Sequence, residues 1–185
     1  MKKKLRFFTF QFSIFTFFIL LCGCSDYVSS KYSFRERVFC QFNALQYIAL
    51  NQVMDNYGEY ATLRIKNVGS TKGVEMNYRG NTYQYTDALI KNFLDGLGGL
   101  IIGTTYSGEY RCYDLACPIC DLNNRRLTLT NDGYAKCNKC GVSFDLNHDG
   151  VIYKVPEGAD LPVKRGLYQY YITYANPIIN IRNAP

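Results

Sequence analysis

Tryptophan is absent from this 185-residue chain, and histidine occurs once, at His148. One histidine in the turn-like stretch "DLNHDG" gives a Ser-His-Asp set no convincing base. No glycine-rich loop leads from a strand into a helix. The "GLGG" at 96–99 lacks dinucleotide-binding spacing and reads as a tight turn. "DLNHDG" has the aspartates of a calcium loop but no distal glutamate, so it too reads as a turn. Residues 34–185 hold no repeat and no low-complexity block. With these routes to chemistry missing, cysteine, present eight times, is the residue type to follow.

Acidic residues are also missing from the start of the chain. Lys2, Lys3, Lys4 and Arg6 precede an uncharged, Phe-rich run from Phe7 to Leu21. This is the basic and apolar pattern of a secretory signal, too short for a transmembrane helix. The run ends in Leu21-Cys22-Gly23-Cys24, which resembles a bacterial lipobox. The resemblance implies that Cys24 is acylated, palmitate being one expected chain, and becomes the new N-terminus. An ordinary signal peptide cleaved nearby is the alternative. Residues 1–23 are then the lipoprotein signal, 24–33 a polar tether containing "SDYVSSKYS", and 34–185 one domain. Ser25 after the acylated cysteine implies the outer membrane, by similarity to Gram-negative lipoproteins, with the face left open. The signal holds four of the 21 basic residues and no acidic one, so cleavage lowers the net charge from +6 to +2. Nothing in that balance supports nucleic-acid binding; the expected contact is a membrane, through the lipid, and no protein partner is specified.

All seventeen tyrosines lie beyond the signal, in short alternating segments that predict an all-β domain, an antiparallel sandwich or small barrel. Residues 38–42 predict a first strand. "YATLRIK" places Ala61, Leu63 and Ile65 on one face, and "VEMNY" does the same with Val74, Met76 and Tyr78. Gly80-Asn81, Ser107-Gly108, Asn131-Asp132-Gly133 and 147–150 mark hairpin turns. "LYQYYITY" and "IINI" predict closing strands. "TDALIKNFLDG" predicts a short helix from a Thr86 cap to a Gly96 stop. "ALQYIALNQVM" fits a strand or a helix equally.

Cys117 and Cys120 form one Cys-x-x-Cys pair, and Cys137 and Cys140 another, at the two ends of a predicted hairpin. Two such turns can surround one tetrahedral ion, as in a zinc ribbon or rubredoxin, and Gly141 relieves the second turn. Zinc and mononuclear iron share this geometry. An exported chain meets an oxidising compartment, so disulfides are the competing reading. Bonds within each pair would close small strained rings, whereas crossed bonds between pairs are easier. Cys40 and Cys112 fall in predicted strands and are expected either to bond to each other or to be two buried thiols.

"YDLACP", then "KC", "CG", "FDL" and "DG", resemble a Rieske iron–sulfur domain over about residues 96–182. Cys117-Pro118 matches the start of the first ligand box, and Cys137, Cys140, Gly141, Phe144 and Asp145 fall in register with the second. Pro156 or Pro162 would take the role of the family's proline loop. The departures decide the chemistry. Ile119 and Cys140 stand where the two cluster histidines belong, so the mixed cysteine–histidine centre cannot form as such. The implied scaffold is Rieske-like, with a rubredoxin- or zinc-ribbon-like metal subdomain at about 114–148. The expectation is a membrane-anchored lipoprotein holding a structural metal, zinc favoured, through Cys117, Cys120, Cys137 and Cys140, without catalysis. A [2Fe–2S] or mononuclear-iron electron carrier, and a disulfide-stapled binding or assembly module, are the alternatives.

Overall fold

The structure, a computed structural model, describes residues 31–86, 90, 92–161 and 164–185. Cys22 and Cys24 lie outside the described residues, as do Pro162 and residues 87–89 and 91 of the helix expected at 86–96.

Period-two patterning builds the strands. β1 (Val38–Asn43) buries Val38, Cys40 and Phe42 and exposes Phe39 and Gln41 between them. β2 (Tyr60–Val68) and β3 (Thr71–Tyr78) turn Ala61 and Leu63, and Val74, Met76 and Tyr78, into the same core. β3 meets β4 (Asn81–Thr86) through the two-residue turn Arg79-Gly80, both at positive φ. The turn therefore starts one residue earlier than the sequence suggested. β6 (Leu100–Thr104) is buried along its whole length because both of its faces are covered. It pairs with β7 (Tyr110–Asp114).

"ALQYIALNQVM" resolves into a 3-10 turn at Ala44–Gln46 and a helix α1 (Ile48–Asp55). Its buried positions, Ala49, Leu50, Val53 and Met54, repeat at helical spacing, and no strand would bury that set on one side. Leu94–Asp95, at the end of the expected helix, are instead a short strand, β5, paired with β1. Burying the apolar face of β1 beside a partner outweighs the local helical pattern.

The remaining strands are β8 (Leu127–Leu129), β9 (Tyr134–Cys137), β10 (Ser143–Asp145), β11 (Val151–Lys154), β12 (Gln169–Ala175) and β13 (Ile178–Arg182). They complete two sheets, of order β4-β3-β2-β6-β7-β12-β13-β1-β5 and β11-β10-β9-β8, whose ladders are antiparallel. The domain is all-β and sandwich-like, as expected. The barrel alternative is corrected, because neither sheet closes among the described residues. β5 also approaches β2, where Asp95 Oδ2 accepts the Ile65 N–H at 2.9 Å.

Two cores result. Leu100, Ile102, Cys112 and Tyr170 face the first, with α1 and the inner faces of β1 to β3. Ile101 and Tyr113, on the opposite face of β6 and β7, pack with Leu127, Ala135 and Phe144 of the small sheet and with Leu146 just after β10. Each fully buried aliphatic or aromatic side chain contributes about 1.5–3 kcal/mol, so this second core is what fixes the small sheet to the large one. Tyr60 and Tyr113 add a polar clasp, both hydroxyls donating to the Leu146 carbonyl, at 2.9 and 3.0 Å.

Cys40 and Cys112 are both buried in the first core as free thiols. The Cys40 thiol donates to the Leu94 carbonyl at 3.3 Å, and burial pushes both thiols well above the ordinary cysteine range. Both are therefore neutral and inert in the fold. Unreduced protein should resist alkylation at these two positions while native and accept it at both once unfolded. A Cys40–Cys112 linked peptide would contradict this. Such a bridge would close a loop of about seventy residues and contribute roughly 4 kcal/mol.

Candidate metal centre

The backbone builds two matching knuckles. In the first, Cys117 N–H donates to the Arg125 carbonyl at 2.8 Å, and Asp121 N–H closes the turn on the Cys117 carbonyl at 2.8 Å. In the second, Cys137 N–H donates to the Val142 carbonyl at 2.9 Å, and Gly141 N–H returns to the Cys137 carbonyl at 2.9 Å. The amides of Cys120 and Ile119 point at the Cys117 sulfur, and those of Cys140 and Lys139 at the Cys137 sulfur. β8 and β9 form the hairpin between the knuckles, with Leu127 opposite Cys137.

These turns bring together the four cysteines the sequence singles out. Their sulfurs all lie within 4.8 Å of one another, and this is the group of metal-ligating side chains that the described residues assemble. Cys117 and Cys137 are buried, and Cys120 and Cys140 half-buried. Cys117 Sγ is 3.6 Å from Cys140 Sγ, and Cys120 Sγ is 3.8 Å from Cys137 Sγ. Four sulfurs about 2.3 Å from one tetrahedral ion would be separated by about 3.8 Å, whereas a disulfide needs about 2.05 Å. The donor set therefore fits a metal ion.

Burial raises the Cys117 and Cys120 thiols, against the two backbone amides in the case of Cys117. Burial acts the same way on Cys137, but there the amides of Cys140 and Lys139 and the neighbouring thiols of Cys140 and Cys117 outweigh it and lower the value. Donors aimed at sulfur favour the thiolate, the form that binds metal.

The residue after each pair adopts the left-handed conformation: Gly141 at φ 74°, Asp121 at φ 49°. A side chain at Gly141 would place its Cβ 2.7 Å from Pro156 Cγ, so the chain after β11 lies directly against the second knuckle. Asp121 has no such freedom and is held by its side chain. Its Oδ1 accepts from the Tyr168 hydroxyl at 2.7 Å and from Arg35 Nε at 3.3 Å. The Tyr168 hydrogen bond first, and then Arg35, keep this carboxyl below the ordinary range. Sequence reading missed Asp121. The signal was a non-glycine at the position matching Gly141.

It also missed Asp114, three residues before Cys117. This buried carboxylate accepts Gly98 N–H (3.0 Å) and Ala116 N–H (2.7 Å) on Oδ1, and Leu97 N–H and the Tyr170 hydroxyl, both at 2.7 Å, on Oδ2. It thereby ties "GLGG" to the approach of the first knuckle. A Cβ on Gly98 would lie 2.6 Å from Ala116 N, which is why the loop is glycine there. The tight turn read from "GLGG" is thus a fitted one.

His148 is a solvated turn residue as expected, with its side chain 76% exposed and Nδ1 2.8 Å from Asp145 Oδ2. "DLNHDG" forms the β10–β11 turn, with Asp149 and Gly150 at positive φ and Asp149 engaged by Lys31 and Arg111. No protein-family model, curated protein or solved structure matches the chain. The resemblance to the Rieske family accordingly rests on the short motifs already quoted.

Proposed function

We propose that this chain is a lipid-anchored extracytoplasmic protein whose domain is organised by one zinc ion on Cys117, Cys120, Cys137 and Cys140. The observation that carries the reading is the mutual approach of all four sulfurs within 4.8 Å, with the Cys117–Cys140 and Cys120–Cys137 separations of 3.6 and 3.8 Å near the edge length of a tetrahedron around one ion. A two-iron cluster divides its four thiolates between two metal atoms and would spread them farther apart. Zinc needs no redox partner and accepts four thiolates without a preferred distortion. Four protein ligands leave no position for water or substrate, so the role is structural. The Rieske-like arrangement of knuckles, hairpin and following strands is part of this proposal, with zinc where that family keeps its cluster.

One specific observation favours a second reading. Cys120 and Cys140 are half-exposed, and a single iron in the same four-thiolate frame, as in rubredoxin, would exchange electrons through that face. Visible absorption separates the two: a colourless protein supports zinc, and thiolate-to-iron charge-transfer bands support the carrier.

The anchor rests on the basic segment, the Phe-rich run and Leu21-Cys22-Gly23-Cys24. Cys24→Ala should abolish fatty-acid labelling and move the protein out of the membrane fraction. Unchanged retention would contradict the anchor.

A further inference from the structure

We propose that the outer face of the small sheet is a membrane-docking surface, which seats the metal-bearing end of the domain on the bilayer that holds the anchor. This rests on the reading that Cys24 is lipidated. The described chain begins beside that face. Lys31 Nζ pairs with Asp149 Oδ1 at 3.0 Å, in the turn that leads into β11, and Ser33 N–H donates to the Gln169 carbonyl at the start of β12. Asn183 Nδ2 holds the Ser33 and Glu36 carbonyls at 2.8 and 2.7 Å, so this segment is fastened in place. Seven residue steps from Cys24 to Lys31 reach at most about 25 Å. A tether of that length allows the Asp149 turn to reach the lipid surface.

What the face presents suits that position. Val151, Tyr153 and Val155 alternate along and just beyond an edge strand and are 50%, 59% and 37% exposed. Tyr153 stacks on Tyr134 of β9, with ring centres 4.2 Å apart. Lys136 and Lys154, both exposed, both pair with Ser143, the latter across a β-bulge between β10 and β11. Tyrosines and small apolar side chains at headgroup depth, beside lysines that meet anionic lipid, are the composition of an interfacial contact. Edge strand β11 would also be covered by this seating.

The absence of tryptophan supplies the test. Full-length lipidated chain carrying Val151→Trp is placed in phosphatidylethanolamine–phosphatidylglycerol vesicles containing brominated lipid. Leu45→Trp is the control. Leu45 is exposed and follows Ala44, whose N–H donates to Pro177 at the far end of the seven-residue strand β12, about 20 Å away. Emission from Val151→Trp should be quenched at least about twofold and shifted to the blue. Leu45→Trp should be unaffected, and adding Lys136→Glu with Lys154→Glu should remove most of the quenching. Lipidated protein with solvent-like emission at position 151, or equal quenching at both positions, overturns the docking alone and leaves this face to a protein occupant. A chain carrying no lipid on Cys24 overturns both the anchor and the docking.

Discussion

Cys137→Ser will lose most of its metal and open the chain between the two knuckles. The serine hydroxyl is a poor ligand at neutral pH, and it would sit where the buried Cys137 sulfur receives the Lys139 and Cys140 amides. In small zinc domains the metal contributes on the order of 10–16 kcal/mol of apparent binding energy, and that energy is folding energy. A whole domain is stable by only about 5–15 kcal/mol, so losing one ligand suffices to unfold the region the ion holds. Metal content should fall from near one per chain to a small fraction. Limited proteolysis should cut within 117–148, the stretch that joins both knuckles, β8 and β9. His148→Ala should leave both measurements unchanged, because its ring is exposed and its hydrogen bond goes to Asp145, not to a cysteine. A Cys137→Ser protein with full metal would show that another group supplies the fourth ligand.

Asp114→Asn should be the most damaging change outside the cysteines. Each carboxylate oxygen accepts two donors, so whichever way an asparagine turns, its amide N–H₂ faces at least one buried backbone N–H. A buried donor left without an acceptor costs about 1–3 kcal/mol, and the displaced asparagine amide adds a comparable amount. A loss of about 2–4 kcal/mol is expected, or roughly 5–15 °C in Tm. Burial holds the Asp114 carboxyl above its ordinary range despite the opposing donors, Ala116 N–H and the Tyr170 hydroxyl foremost. The folded state therefore keeps this proton more tightly than the unfolded chain does. The contribution of Asp114 to stability falls as pH rises from the ordinary carboxylate value through the raised one, and the Asn variant should lose that slope. A wild-type melting temperature in Asp114→Asn would mean that water replaces the carboxylate.

Local pattern made much of this legible before any coordinates. The strands 60–66 and 74–78 follow from alternation, and the hairpin around Ser107-Gly108 from its turn residues, because a hairpin is a contact between neighbours in sequence. So does the four-cysteine group, whose spacing is set by two tight turns. What the sequence hid depends on distant partners. The pairing of β1 with β13 and β5 joins residues more than fifty positions apart, and no local signal prefers it to barrel closure. Leu94 and Asp95 became a strand because β1 offered an edge. α1 was undecided because 44–54 satisfies both periods until one knows which side is buried. Asp121 drew no reading from the sequence, since Tyr168 and Arg35, which hold it, come from opposite ends of the domain.

The account depends most on four thiolates sharing one ion. Metal analysis and thiol counting on one anaerobic preparation of the full-length protein test this directly. The prediction is close to one zinc per chain, no visible absorption, and Cys117, Cys120, Cys137 and Cys140 all reduced once the metal is chelated. Metal-free protein with Cys117 linked to Cys140 and Cys120 to Cys137, or brown protein with two irons and labile sulfide, would contradict it.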